Sequence, residues 1–169
     1  MKADEFPPNN MGTPKNLSRC VEEAKGELVM FLGNDTIPEK NFLQEAVWAM
    51  ARKFPEMDGM VGLNDGYWKE GDVATHWMCS RALLPMLGGH FFHHGYNHCG
   101  CDNELQGRCE LIGKYTWAEK AKLYHDHPVN VGWDNLDVIY EFAYSGKNHQ
   151  ADVELLKKRA EEFGFNPRV

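Results

Sequence analysis

Long apolar runs are missing from this sequence of 169 residues. No stretch approaches the roughly 20 consecutive apolar residues that span a bilayer, and the opening MKADEFPPNN carries no apolar signal core. A membrane span is not expected, and a cytoplasmic location is. Paired cysteine spacing is missing as well. The five cysteines are an odd number without a disulfide framework, which reads as reduced thiols. Positive charge is in deficit. A net charge of −7 argues against a nucleic-acid partner, because a phosphate track needs clustered Lys and Arg. That balance still permits a metal–nucleotide complex, in which a cation bridges carboxylate and phosphate. There is no internal repeat, no low-complexity segment and no Ser/His/Asp nucleophile arrangement.

What is present suits one domain with a real core, since 43% of residues are hydrophobic and 25% charged. Residues 28–32 (LVMFL) lack polar alternation, as expected of a strand covered on both faces in a parallel sheet. Leu43, Ala46, Val47, Met50 and Phe54 follow at helical spacing, which predicts a helix over about 40–54. A second strand is expected within DGMVGLND, at 59–63, and a compact helix near SRALLPML, ending at Gly88-Gly89. HFFHHGYNHCGC, residues 90–101, reads as a loop. Leu105, Cys109 and Ile112 place an apolar face on a helix over about 103–113. EKAKLYHDHP predicts a strand over 121–126, stopped by Pro128. Leu136, Ile139, Tyr140 and Ala143 mark one further helix, and Val153, Leu156, Ala160 and Phe163 another. The layout is α/β, a mostly parallel sheet flanked by helices.

Ligands of such sheets bind outside the carboxyl ends of the strands. Asn34-Asp35 stands directly after the first strand, where the bland alternative is a hydrogen-bonded turn. In CDNEL, Asp102 or Asn103 caps the following helix and Glu104 lies in its first turn. A helix start also favours an ionised carboxylate able to accept a proton. In YHDHP, His125 and His127 sit two apart on a strand and share a face, and imidazole is a good ligand for a divalent transition metal.

The order and spacing of these pieces resemble the family-2 glycosyltransferases with a GT-A fold. NNMGTPKNLSRCVEEAKGELVMFLGNDTIPEKNFL is similar to that family's segment in which an N-x-G stretch and a helix lead to the strand bearing Asp-x-Asp. LGGHF resembles its Gly-Gly loop, CDNELQGRCELIGKY its acidic pair, and AKLYHDHP the strand with its metal-binding histidine. The resemblance spans about residues 9–128, leaving 129–169 as a helical extension.

It implies inverting transfer of a sugar from a nucleotide-sugar donor to an acceptor hydroxyl, with Mn²⁺ or Mg²⁺. Carried over by position, Asp35 and His125 (or His127) bind the metal and Asp102 is the catalytic base. Asn34, Gly88, Gly89 and Glu104 contact substrate. Two positions depart from the pattern: Gly33 stands where the motif has its first acid, and Cys101 where a glutamate precedes the base. The family also places several strands before Asp-x-Asp that hold the donor's base and ribose. Few residues precede Asp35 here, so part of the nucleotide site is expected to come from elsewhere. This would make the chain a fragment, one half of a split enzyme, or a non-catalytic remnant. The 28–32 strand would then have an open edge, covered by a partner chain or another copy.

A rival from another class is a metal-binding module using His90, His93, His94, His98, Cys99 and Cys101. Four of these suffice for tetrahedral zinc, although Cys-x-Cys is tighter than the usual spacing. Tyr67, Trp68 and Trp77 are expected in packing rather than on a sugar. Cys20, Cys79 and Cys109 are expected to be small buried hydrophobes, and the charges of 154–162 to be a solvated helix face.

Overall fold

A computed structural model of the chain describes residues 12–70, 72–128, 132 and 138–168. Five strands form one sheet: β1 (Leu28–Phe31), β2 (Thr36–Pro38), β3 (Met60–Asn64), β4 (Trp77–Ser80) and β5 (Tyr115–His125). The helices are α1 (Thr13–Glu23), α2 (Phe42–Lys53), α3 (Cys101–Leu111), α4 (Val138–Ala143) and α5 (Gly146–Phe163). Residue 10 of the N-x-G stretch and Leu136, both used in the sequence reading, lie outside the described residues.

The sheet is mixed rather than mostly parallel, with strand order β1-β4-β3-β5-β2. Only β3 and β5 pair in parallel, whereas β4 runs antiparallel to both β1 and β3, and β2 antiparallel to β5. The three expected strands do point the same way, but β4 wedges between the first two and reverses the local pairing. Neither β4 nor β2 was expected. WMCS is too short to show a period, and TIP contains a proline, which is tolerated here because β2 is an edge strand. Among the described residues β1 pairs only with β4, so it is the opposite edge.

Burial on both faces explains the unbroken apolar runs. Val29, Met60, Trp77 and Cys79 face a core shared with Leu105 and Cys109 of α3 and with Leu156 and Ala160 of α5. Val61, Leu63, Met78 and Leu123 face the other way, against Ala46, Ala49 and Met50 of α2. Neighbours on a strand alternate between these two cores, as the two-residue period of the pleat requires. Trp77 is fully buried, as is Cys79, whereas Cys20 is exposed on α1. The expectation of a buried thiol fails there because Leu17 and Val21 carry the packing face of that helix.

The predicted helices are shifted or shortened at their ends. SRALLPML forms two short 3₁₀ turns, Arg81–Leu83 and Pro85–Leu87, because Pro85 lacks the N–H to continue an α-helix. Their exit needs positive φ at Gly88 and Gly89 (77° and 90°), which only glycine adopts without strain. Helix α3 begins at Cys101 after Gly100, so Asp102 and Asn103 lie inside the first turn rather than capping it, and Ile112 is past its end and exposed.

Candidate metal centre at the carboxyl edge of the sheet

Strand directions decide which residues meet. β1, β3 and β5 end at one edge, and β2 and β4 begin there. Residues just after β1 and β3, just before β4, and at the end of β5 therefore converge, although they span 35 to 125 in sequence. These are Asp35, Asp65, His76 and His125. The backbone fixes the first to the last: Asp126 N–H donates to Asp35 O at 2.8 Å.

Asp35, His76 and His125 each offer a ligand atom, and these atoms lie within 4.8 Å of one another. Atoms bound about 2.1 Å from one ion lie up to about 4.2 Å apart, so small side-chain adjustments would close the group on a single cation. One carboxylate and two imidazoles are a chemically sound donor set for a divalent transition ion. His125 Nε2 lies 3.4 Å from Asp35 Oδ2, and its Nδ1 lies 3.4 Å from Asp65 Oδ2. The His76 ring stands edge-on to His125 at 4.4 Å between centroids and stacks parallel on Phe31 at 5.7 Å.

The electrostatics follow from this crowding. The hydrogen bond from His125, with another from Tyr140, outweighs burial and holds the Asp35 carboxyl well below the usual range. For His125, burial works against the charged ring, but Asp35 and Asp65 overcome it and lift the pKa to about 9. His76 is pushed down to about 4, first by burial and then by the charge of His125. Asp65 is lowered on balance. Burial opposes its charge, while His125, the Trp68 and Tyr67 N–H groups and Thr75 favour it.

The remaining candidates are placed as follows. His127 lies beside His125 (ring centroids 5.0 Å apart) but outside the three-residue group, and its Nε2 meets Tyr144 Oη at 3.2 Å. Tyr140 Oη donates to Asp35 Oδ2 at 2.6 Å, bringing α4 over the site. Asn34 is exposed in the turn before Asp35. Asp102 is half-buried, accepts the Asn103 N–H at 2.9 Å, and has its pKa raised by burial. Its charge contributes, after burial and Cys99, to the raised pKa of the Tyr144 hydroxyl, but Asp102 does not join the Asp35, His76 and His125 group.

Glu104 is fully buried. Its oxygens take Arg159 Nη2 at 2.8 Å, Arg159 Nε at 3.1 and 3.2 Å and Tyr96 Oη at 2.9 Å. Arg159 is thus a buried partner, not part of a solvated face. Gly88 and Gly89 directly follow Leu87, whose carbonyl accepts from Arg108.

His90 to Cys101 do not assemble. Among the described residues the Asp35 group is the one set of three or more candidate ligands that converges. His98 Nδ1 is instead 2.7 Å from Thr13 Oγ1, and His94 Nε2 is 3.0 Å from Ser18 Oγ.

Sequence reasoning missed His76 and Asp65. Asp65 carried a usable signal, since it follows a strand as Asp35 does. His76 carried none without the reversed direction of β4. Comparison with family models, with curated proteins and with solved structures gives no match.

Proposed function

We propose that this chain is a metal-dependent, inverting glycosyltransferase-like protein of the GT-A kind, working on a nucleotide-sugar donor and an acceptor hydroxyl. The observation that carries the reading is the meeting of Asp35 and His125 at the ligand-binding edge of the sheet. Asp35 and His125, with His76, would hold the cation. When bound, that divalent cation supplies positive charge opposite the leaving diphosphate.

The chain's own groups do the rest. Asp102, whose burial raises its proton affinity, accepts the proton of the acceptor hydroxyl as that oxygen attacks the sugar carbon from the opposite face. Asn34 contacts the substrates from the turn beside the sheet edge, Gly88 and Gly89 contact them from the loop after the two 3₁₀ turns, and Glu104 fixes the helix that carries Asp102. The outer edge of β1 takes a partner strand, and the chain works in the cytoplasm. No helix among the described residues is long and apolar enough to cross a membrane.

The test is calorimetric titration with nucleoside diphosphates, with and without manganese. Binding should require the metal and be lost in Asp35→Asn, while Asp102→Asn should abolish sugar transfer and leave donor binding intact. Diphosphate binding that is indifferent to metal and to Asp35→Asn would overturn the assignment. The donor set itself favours a second reading, because two histidines and one carboxylate also serve non-haem ferrous oxygenases. Oxygen consumption by the iron-loaded chain, without nucleotide dependence, would favour that reading instead.

A further inference from the structure

The neighbourhood of Gly33 connects the departure in the motif to His76. A Cβ built at Gly33 would stand 3.2 Å from His76 Nε2 and closer still to Asp35 Oδ1. The space that any side chain at 33 would take is therefore already shared by two candidate ligands. Glycine at 33 leaves room for the His76 ring beside Asp35.

Both rings are held from behind. His76 Nδ1 is 3.2 Å from Thr75 Oγ1, and Thr75 Oγ1 donates to Asp65 Oδ2 at 2.8 Å. Asp65 Oδ2 also faces His125 Nδ1. One buried carboxylate thus orients both imidazoles, directly or through Thr75, leaving their Nε2 atoms toward Asp35. Such outer partners fix ring orientation in metal sites.

We propose that His76 is a protein ligand of this centre, admitted by glycine at 33, and that the resulting nitrogen-rich site selects a divalent transition ion over Mg²⁺. Two imidazoles and one carboxylate suit Mn²⁺, Fe²⁺, Co²⁺ or Zn²⁺, whereas Mg²⁺ takes oxygen ligands and gives up water reluctantly. The inference rests on the metal centre assigned above but not on the transfer reaction.

Cobalt(II) titration of the full chain, followed by visible absorption, tests it without any nucleotide. One ion should bind, with d–d bands typical of nitrogen ligation, and about a hundredfold excess of Mg²⁺ should fail to displace it. His76→Ala and His76→Gln should each weaken cobalt binding by about tenfold or more. Gly33→Ala should weaken it too while keeping both histidines, because the added methyl occupies the approach of His76 to Asp35. Circular dichroism melts identify any variant that fails to fold, and the other two still decide the question. Displacement by equimolar Mg²⁺, or parental cobalt affinity in folded His76 and Gly33 variants, would overturn the proposal. A cobalt-loaded chain that ignores nucleoside diphosphates would count against the transferase reading alone.

Discussion

Asp35 and Glu104 are both carboxylates beside basic side chains, one at the rim of the sheet and the other under the carboxyl-terminal helix. The Asp35 side chain keeps a quarter of its surface exposed and meets His125 at 3.4 Å, longer than a good charge-assisted hydrogen bond. Glu104 keeps 1% and is saturated by Arg159 and Tyr96 at hydrogen-bond distance. Asp152 resembles Glu104, being buried and accepting the backbone N–H groups of Asn97, His98 and Cys99. A carboxylate whose lone pairs are all taken by its own protein is an anchor. Asp35 also accepts from Tyr140 at 2.6 Å, but with a quarter of its side chain exposed beside the imidazoles it retains capacity for a ligand.

Breaking the saturated cluster should have the largest effect. Glu104→Ala leaves the buried Arg159 guanidinium with only the exposed Glu162, 3.0 Å away, as a carboxylate partner, and about 3 kcal/mol of unfolding free energy should be lost. Urea denaturation checks this, and a loss below about 1 kcal/mol would show that Glu162 and water satisfy Arg159 instead. Asp152→Ala orphans several N–H groups at once, and a loss of about 2 kcal/mol is expected. By contrast His76→Ala should cost less stability than either while weakening cobalt binding by about tenfold or more.

The next effect depends on pH. Burial, against the opposing charge of Asp152, depresses the pKa of His98 below its ordinary value of 6.5. The unfolded chain then binds a proton at acid pH that the folded chain refuses, so stability is lost as pH falls below about 6.5. His98→Gln should flatten that part of the stability profile relative to the parent. An unchanged slope would mean that the ring is not held neutral.

The smallest effect concerns thiol access. Cys20 is exposed, while Cys79, Cys101 and Cys109 are buried, and burial pushes the Cys99 thiol up to about 12. Alkylation at neutral pH followed by mass spectrometry should modify Cys20 first and the others only on unfolding. Early labelling of Cys101 would show that the start of α3 opens readily.

The apolar runs of β1 and β3, the amphipathic pattern of α2 and the histidine-bearing end of β5 were legible, because burial stamps a period on residues close in sequence. Strand β4 was not, and with it went His76, since a four-residue run shows no period. Glu104 was legible as a helix-start acid but not as an anchor. Its partner Arg159 lies 55 residues away, and a charge on an amphipathic helix gives no sign that it turns inward.

The sequence by itself determined the α/β class, the two-sided burial of the central strands, and Asp35 and His125 as residues placed near the carboxyl ends of strands. These follow from local periodicity and from where strands end. Only the tertiary structure decided that the sheet is mixed, that the antiparallel β4 delivers His76 to the same edge, and that Gly33 makes room for it. Those facts depend on strand direction and on contacts between residues remote in the chain, which no local pattern encodes.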